Sequence, residues 1–85
     1  MSIFMHRDRL TVFAEILKIT KEFREGKTKT EIVRSVNLNY PQASRYLNLL
    51  LTNGLLCLDS EDRYKPTEKG LELIRTLESL DLKLK

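Results

Sequence analysis

Arg45 and Asn48 stand three residues apart in the stretch N-Y-P-Q-A-S-R-Y-L-N-L-L-L-T-N-G-L-L, residues 39–56, with Tyr40, Gln42 and Ser44 just ahead of them. Groups of these types match the edges of bases in the major groove of duplex DNA. Arginine pairs with guanine, a carboxamide such as Asn48 or Gln42 with adenine, and Ser44 or Tyr40 with an edge or a phosphate. No other chemistry is spelled out as well. The chain has no Gly-rich phosphate loop and no nucleophile elbow, and His6 and Cys57 are its only histidine and cysteine. Neither a metal site nor a nucleophile–base pair can be composed from that inventory. The expectation is no enzyme, no metal, no cofactor and no small-molecule ligand. His6 reads as an exposed terminal residue, and Cys57, in the run L-L-C-L, as a small buried hydrophobe.

These groups need a helix to present them. At 3.6 residues per turn Ala43, Tyr46, Leu47, Leu50 and Leu51 share one side, and Ser44, Arg45, Asn48 and Thr52 the other. Pro41 suits a first helical turn, and Gly54 after Asn53 suits the left-handed residue that stops one. The spacing therefore predicts a helix over about 41–53, one face core and one face presented. Ahead of it, Thr28-x-x-Glu31 matches a capping box before Ile32, Val33 and Val36, with Thr30 as an alternative cap. That predicts a short helix ending by about Ser35, then a tight connection with Leu38 as a buried plug. Two helices joined so closely make a helix-turn-helix.

The first helix is expected over Arg7–Arg24 and closes at Gly26. It has two apolar stripes, one of Leu10, Phe13, Ala14 and Leu17, the other of Val12, Ile16, Ile19 and Phe23, and is expected to be covered on both sides. After Gly54, L-L-C-L-D reads as a strand, S-E-D as a turn, and R-Y-K-P as a return strand closed by Pro66. Thr67 then caps a last helix running to about residue 84, with Glu68 in its first turn and Lys83 and Lys85 in its last, as the helix dipole favours.

Eighty-five residues, 41% of them hydrophobic, fill one modest core, so residues 1–85 are read as a single domain. No apolar run is long enough to span a membrane, and Met1–Met5 is too short for a signal peptide, so a cytoplasmic protein is expected. The net charge is +3. It is concentrated in residues 18–34, where Lys18, Lys21, Arg24, Lys27, Lys29 and Arg34 outnumber Glu22, Glu25 and Glu31. Lys27, Lys29 and Arg34 are the expected contacts to the DNA backbone.

Three helices, a hairpin and a fourth helix is the winged-helix order, an α+β fold that is mostly α. The segments R-D-R-L, Y-L-N-L-L-L-T-N-G-L-L and Y-K-P-T-E-K-G resemble the small winged-helix proteins of archaea. Some members of that family are chromatin-associated and dimerise through an extended C-terminal helix. The resemblance implies double-stranded DNA as partner, a transcription-regulatory or chromatin role, and a wing contact through Arg63 and Lys65. Two features depart from it: the hairpin turn carries Asp59, Glu61 and Asp62, and the last helix has only about five turns. A winged helix acting as a protein-interaction module in a larger assembly is the alternative, since fold does not fix function. A homodimer is also expected, with residues 67–85 as the dimerisation helix. In that helix Leu73, Leu77, Leu80 and Leu84 form a stripe beside the core-facing Leu71 and Ile74, and the first helix offers Val12, Ile16, Ile19 and Phe23 as its partner surface.

Overall fold

The computed structural model describes residues 8–84, with side chains described from 8 to 80. His6, Arg7 and Lys85, and the side chains of Lys83 and Leu84, lie outside the described residues. Within them the order is α1 (Arg9–Lys21), β1 (Lys27–Thr28), α2 (Lys29–Val36), α3 (Tyr40–Thr52), β2 (Leu56–Leu58), β3 (Arg63–Pro66) and α4 (Glu68–Leu84). This is the expected winged helix, with one added strand. β1 pairs antiparallel with β3, which makes the wing the outer part of a three-stranded sheet of order β1-β3-β2.

Each helix starts where a short polar side chain meets an orphan backbone donor. Asp8 accepts from the Thr11 N–H at 2.7 Å and opens α1. Thr28 and Glu31 complete the expected capping box of α2, which runs one residue further than expected and closes on Asn37 in the left-handed conformation, φ 57. α3 opens on a second capping box, between Asn39 and Gln42. Thr67 begins α4 by accepting from the Gly70 N–H at 3.1 Å.

One core is shared by all the layers. Ile16, Leu17, Ile32, Leu47, Leu50 and Ile74 are sealed from solvent, with Val12, Leu55, Leu56 and Tyr64 around them, and Leu38 packs half-buried against the cluster. Burying each such side chain contributes on the order of 1.5–3 kcal/mol. The edge of Phe13 meets the Tyr46 ring at 5.8 Å between centroids, which ties α1 to α3.

The joint between α3 and α4 is closely built. The Thr67 N–H donates to Leu55 O at 3.0 Å, its hydroxyl donates to Gly54 O at 2.6 Å, and Lys69 Nζ donates to Asn53 O at 3.0 Å. Gly70 passes so close to the Leu55 carbonyl that a Cβ there would collide with it. Gly26 is held in a similar way, at φ 83, where a Cβ would lie 2.5 Å from Tyr64 O.

Several expectations are corrected. Val12 and Ile16 are 2% and 0% exposed, inside this chain's own core, so they are not available to a partner. α1 ends at Lys21, and Phe23 sits in the following turn, half exposed under the Lys27 ammonium at 4.3 Å. Cys57 is exposed. The physical reason is the period of two along β2: Leu56 faces the core, so Cys57 opposite Lys65 faces out, and Leu58 opposite Tyr64 faces an open pocket and stays 44% exposed.

Candidate nucleic-acid interface

α3 divides as its pattern implies. Ala43, Leu47 and Leu50 are buried, Tyr46 and Leu51 are half-buried, and Tyr40, Gln42, Arg45, Asn48 and Thr52 are exposed. Among the described residues neither Arg45 nor Asn48 has a hydrogen-bond or ionic partner, so the guanidinium and the carboxamide are presented with all their donors and acceptors uncommitted. Gln42 is partly committed. Its Oε1 accepts from the Asn39 N–H at 3.2 Å while the Asn39 carboxamide accepts from the Gln42 N–H at 2.8 Å. That leaves Gln42 its amide protons and one oxygen lone pair, so a bidentate grip on adenine would have to share the oxygen with the cap.

Ser44 and Tyr40, one turn apart on α3, are bridged from α2. Lys29 Nζ donates to Ser44 Oγ at 2.9 Å and lies 5.1 Å from the centre of the Tyr40 ring. Lys29 is thus held against the presented face. Arg34 is exposed near the end of α2 and has no ionic partner among the described residues.

The wing differs from a phosphate clamp. Alternation along β3 puts Arg63 and Lys65 on the face opposite Tyr64. Arg63 Nη1 donates to Gly26 O at 3.3 Å and lies 3.7 Å from Glu31 Oε1, and Lys65 Nζ lies 3.4 Å from Asp59 Oδ2. Asp59 also accepts from the Glu61 and Arg63 N–H groups, which shapes the turn around Asp62 at φ 60. The Arg63 and Glu61 N–H groups hold the Asp59 carboxyl below its usual range, and the Thr28 N–H does the same for Glu31. Between the wing and the starts of α2 and α3 lies an open pocket of about 330 Å³, lined by Lys29, Thr28, Thr30, Tyr40, Leu58, Asp62 and Tyr64. Burial first, then the neighbouring Tyr40 and Asp62, push the Tyr64 phenol up.

The structure therefore brings Tyr40, Gln42, Ser44, Arg45, Asn48 and Lys29 together, places Arg34 and Lys27 on flanking elements, and sets Arg63 and Lys65, on the outer face of the sheet, beside carboxylates. Sequence reasoning missed the Asn39 box, although N-x-x-Q carries its signal. It had no signal for the Lys29 bridge, whose partners are fifteen residues apart.

The sequence profile of the winged helix-turn-helix family matches residues 6–85. An uncharacterized protein of the archaeon Methanocaldococcus jannaschii is 34% identical over 74 residues, covering 87% of this chain and 73% of that one. Among solved structures, the transcriptional regulator PA3341 superposes with a TM-score of 0.67 at 24% identity, over 96% of this chain and 62% of its own. An O-methyltransferase of neocarzinostatin biosynthesis superposes at 0.55 with 25% identity, but this chain spans only 25% of that enzyme. Both likenesses speak to the fold.

Proposed function

The chain belongs to the winged helix-turn-helix family, and from that premise we propose that it binds double-stranded DNA as a transcription regulator or chromatin-associated protein, with α3 in the major groove. The observation that carries this is the exposed, unpartnered pair Arg45 and Asn48 on a helix whose opposite face is core. Arg45 reads guanine and Asn48 adenine, Tyr40 and the Gln42 amide border them, and Arg34 and Lys27 hold flanking phosphates. The wing contributes little, because Arg63 and Lys65 would have to leave Glu31 and Asp59 to reach a phosphate. An electrophoretic shift on random-sequence duplex tests the reading. Counterion release makes affinity fall steeply as salt rises, and affinity independent of salt would count against phosphate contact.

The second reading, a protein-interaction module, is favoured by that same wing, whose bases are neutralised and whose tip exposes Glu61 and Asp62. No duplex binding at low salt, together with a defined partner that is lost on Glu61→Lys/Asp62→Lys, would select it.

The proposal includes a homodimer built on α4. Leu80 is 49% exposed and Leu77 half-buried along one side of the helix, while Leu73 on that side packs partly against this chain's own core and Ile74 is sealed in it. A second copy is the occupant because a two-fold axis lets one such stripe cover itself. The stripe on α1 takes no part beyond Ile19 and Phe23, since Val12 and Ile16 are internal.

A further inference from the structure

Among the described residues five hydroxyl side chains at helices have their oxygen engaged, those of Thr20, Thr28, Ser35, Ser44 and Thr67, and Ser44 is the one whose oxygen takes its bond from a charged donor. Thr20 donates back to Leu17 O and Ser35 donates back to Glu31 O, both at 2.9 Å, so each hydroxyl proton is spent inside its own helix. Ser44 makes no such bond. Its oxygen instead accepts from the Lys29 ammonium at 2.9 Å, and among the described residues its proton is donated to nothing. A serine hydroxyl has one donor and two acceptor lone pairs, and so reads a donor or an acceptor edge indifferently. A cation on its oxygen removes that indifference. With the ammonium occupying a lone pair and placing positive charge beside the oxygen, the favourable partner for Ser44 is an acceptor, and an amino group facing it meets both a used lone pair and a like-signed field.

The ammonium is itself held in place. Lys29 is the first residue of α2, its side chain crosses to α3, and its Nζ is fixed between Ser44 Oγ and the Tyr40 ring, two groups four residues apart on one face. Lys29 is therefore less a free phosphate ligand than a part of the reading surface. We propose that Lys29 acts as a positioning residue that turns Ser44 into an obligate hydrogen-bond donor, so that this position of the interface accepts the acceptor edge of guanine or thymine and rejects the exocyclic amino group of cytosine. This rests on the reading of α3 as the DNA-contacting helix and adds to it a specificity that no single residue of α3 carries.

The test is site selection from random duplex by the wild type, Lys29→Met, Lys29→Arg, Ser44→Ala and the double variant Lys29→Met/Ser44→Ala, each first shown to melt cooperatively. The expected result is one base-pair position at which the wild type prefers guanine or thymine over cytosine by roughly 5-fold, the scale of one hydrogen bond. Lys29→Met and Ser44→Ala each abolish that preference, the double variant loses no more than either, and preferences at the Arg45 and Asn48 positions persist. Lys29→Arg, which retains a cationic donor, keeps it. If Lys29→Met instead weakens every sequence alike and lowers the salt slope by about one, with base preference intact, Lys29 is a phosphate contact and the inference is overturned while DNA binding stands. Absence of duplex binding by the wild type at low salt overturns the DNA reading itself.

Discussion

At the scale of the residue, what separates a reader from a holder is whether its contact depends on the base. Arg45→Ala and Asn48→Ala are expected to relax sequence preference, each costing on the order of 1–3 kcal/mol at its preferred base. Arg34→Ala is expected to weaken all duplexes alike. Fluorescence anisotropy on a selected site and on scrambled duplex distinguishes these, and indistinguishable behaviour of the three variants would remove α3 as the reader. The exposed side of α3 was legible in advance because exposure follows from a period of 3.6 residues. What was not legible is how many of those groups are already spoken for. Gln42 closes its own helix and Lys29 leans on Ser44, and both arrangements depend on side-chain geometry that spacing alone does not report. Gly70 is the opposite case, a residue that does its work by lacking a side chain. Gly70→Ala forces a methyl onto the Leu55 carbonyl and is expected to cost about 1–3 kcal/mol, read as a lower midpoint in urea.

At the scale of the element, the caps decide where things begin. Thr28→Ala and Asn39→Ala each remove the cap side chain's half of a capping box and are expected to cost about 1 kcal/mol. Thermal melting followed by circular dichroism measures it. The acidic members of this network also set a pH dependence. Asp8, Glu31 and Asp59 all have carboxyls lowered by backbone N–H groups, so their contribution is complete above the unfolded-state range and is lost as pH falls through the folded-state values. Stability is thus expected to drop below about pH 4, and Asp59→Asn to flatten that drop. An unchanged acid limb in Asp59→Asn would disconnect the wing turn from it. The four helices, the hairpin and the Thr28 box were readable because each is encoded locally, in caps and periods. β1 was not, since a strand of two residues has no period and exists only because β3 passes beside it. Cys57 misleads for a related reason: an apolar run looks buried until an edge strand with one covered face is known to carry it.

For the whole molecule, the question is which apolar surface the single core leaves over. Two stripes on the first helix looked like one for the core and one for a partner, and packing placed most of both inside, because α1 lies among α2, α3, β3 and α4. Among the described residues Leu10, Phe23 and Leu58 remain exposed singly, and Leu80, with half-buried Leu77 one turn before it, remains on α4. Leu77→Glu/Leu80→Glu is therefore expected to leave the melting cooperative and to reduce a dimer to a 10.0 kDa monomer, the mass of one chain. Ile74→Ala, in the core, is expected to cost about 2–5 kcal/mol and leave the oligomeric state alone. Sedimentation equilibrium decides between them, and a wild type at monomer mass throughout the micromolar range ends the dimer proposal.

The hydrogen-bonded joint between Asn53, Gly54, Leu55 and Thr67 has a consequence for how such a dimer would measure DNA. The end of α3 and the start of α4 are fastened by three hydrogen bonds of 2.6–3.0 Å and by the glycine contact, so α3 has no hinge relative to α4, the helix on which the proposed dimer is built. The two copies of the proposed dimer would then work as a caliper with its jaws locked. One extra base pair between half-sites carries the second target about 3.4 Å along the axis and rotates it by about 35°, and a locked instrument cannot follow. Affinity is expected to peak at one spacing and to fall on either side of it, whereas Gly70→Ala, by loosening the joint, should broaden the peak before it abolishes the fold.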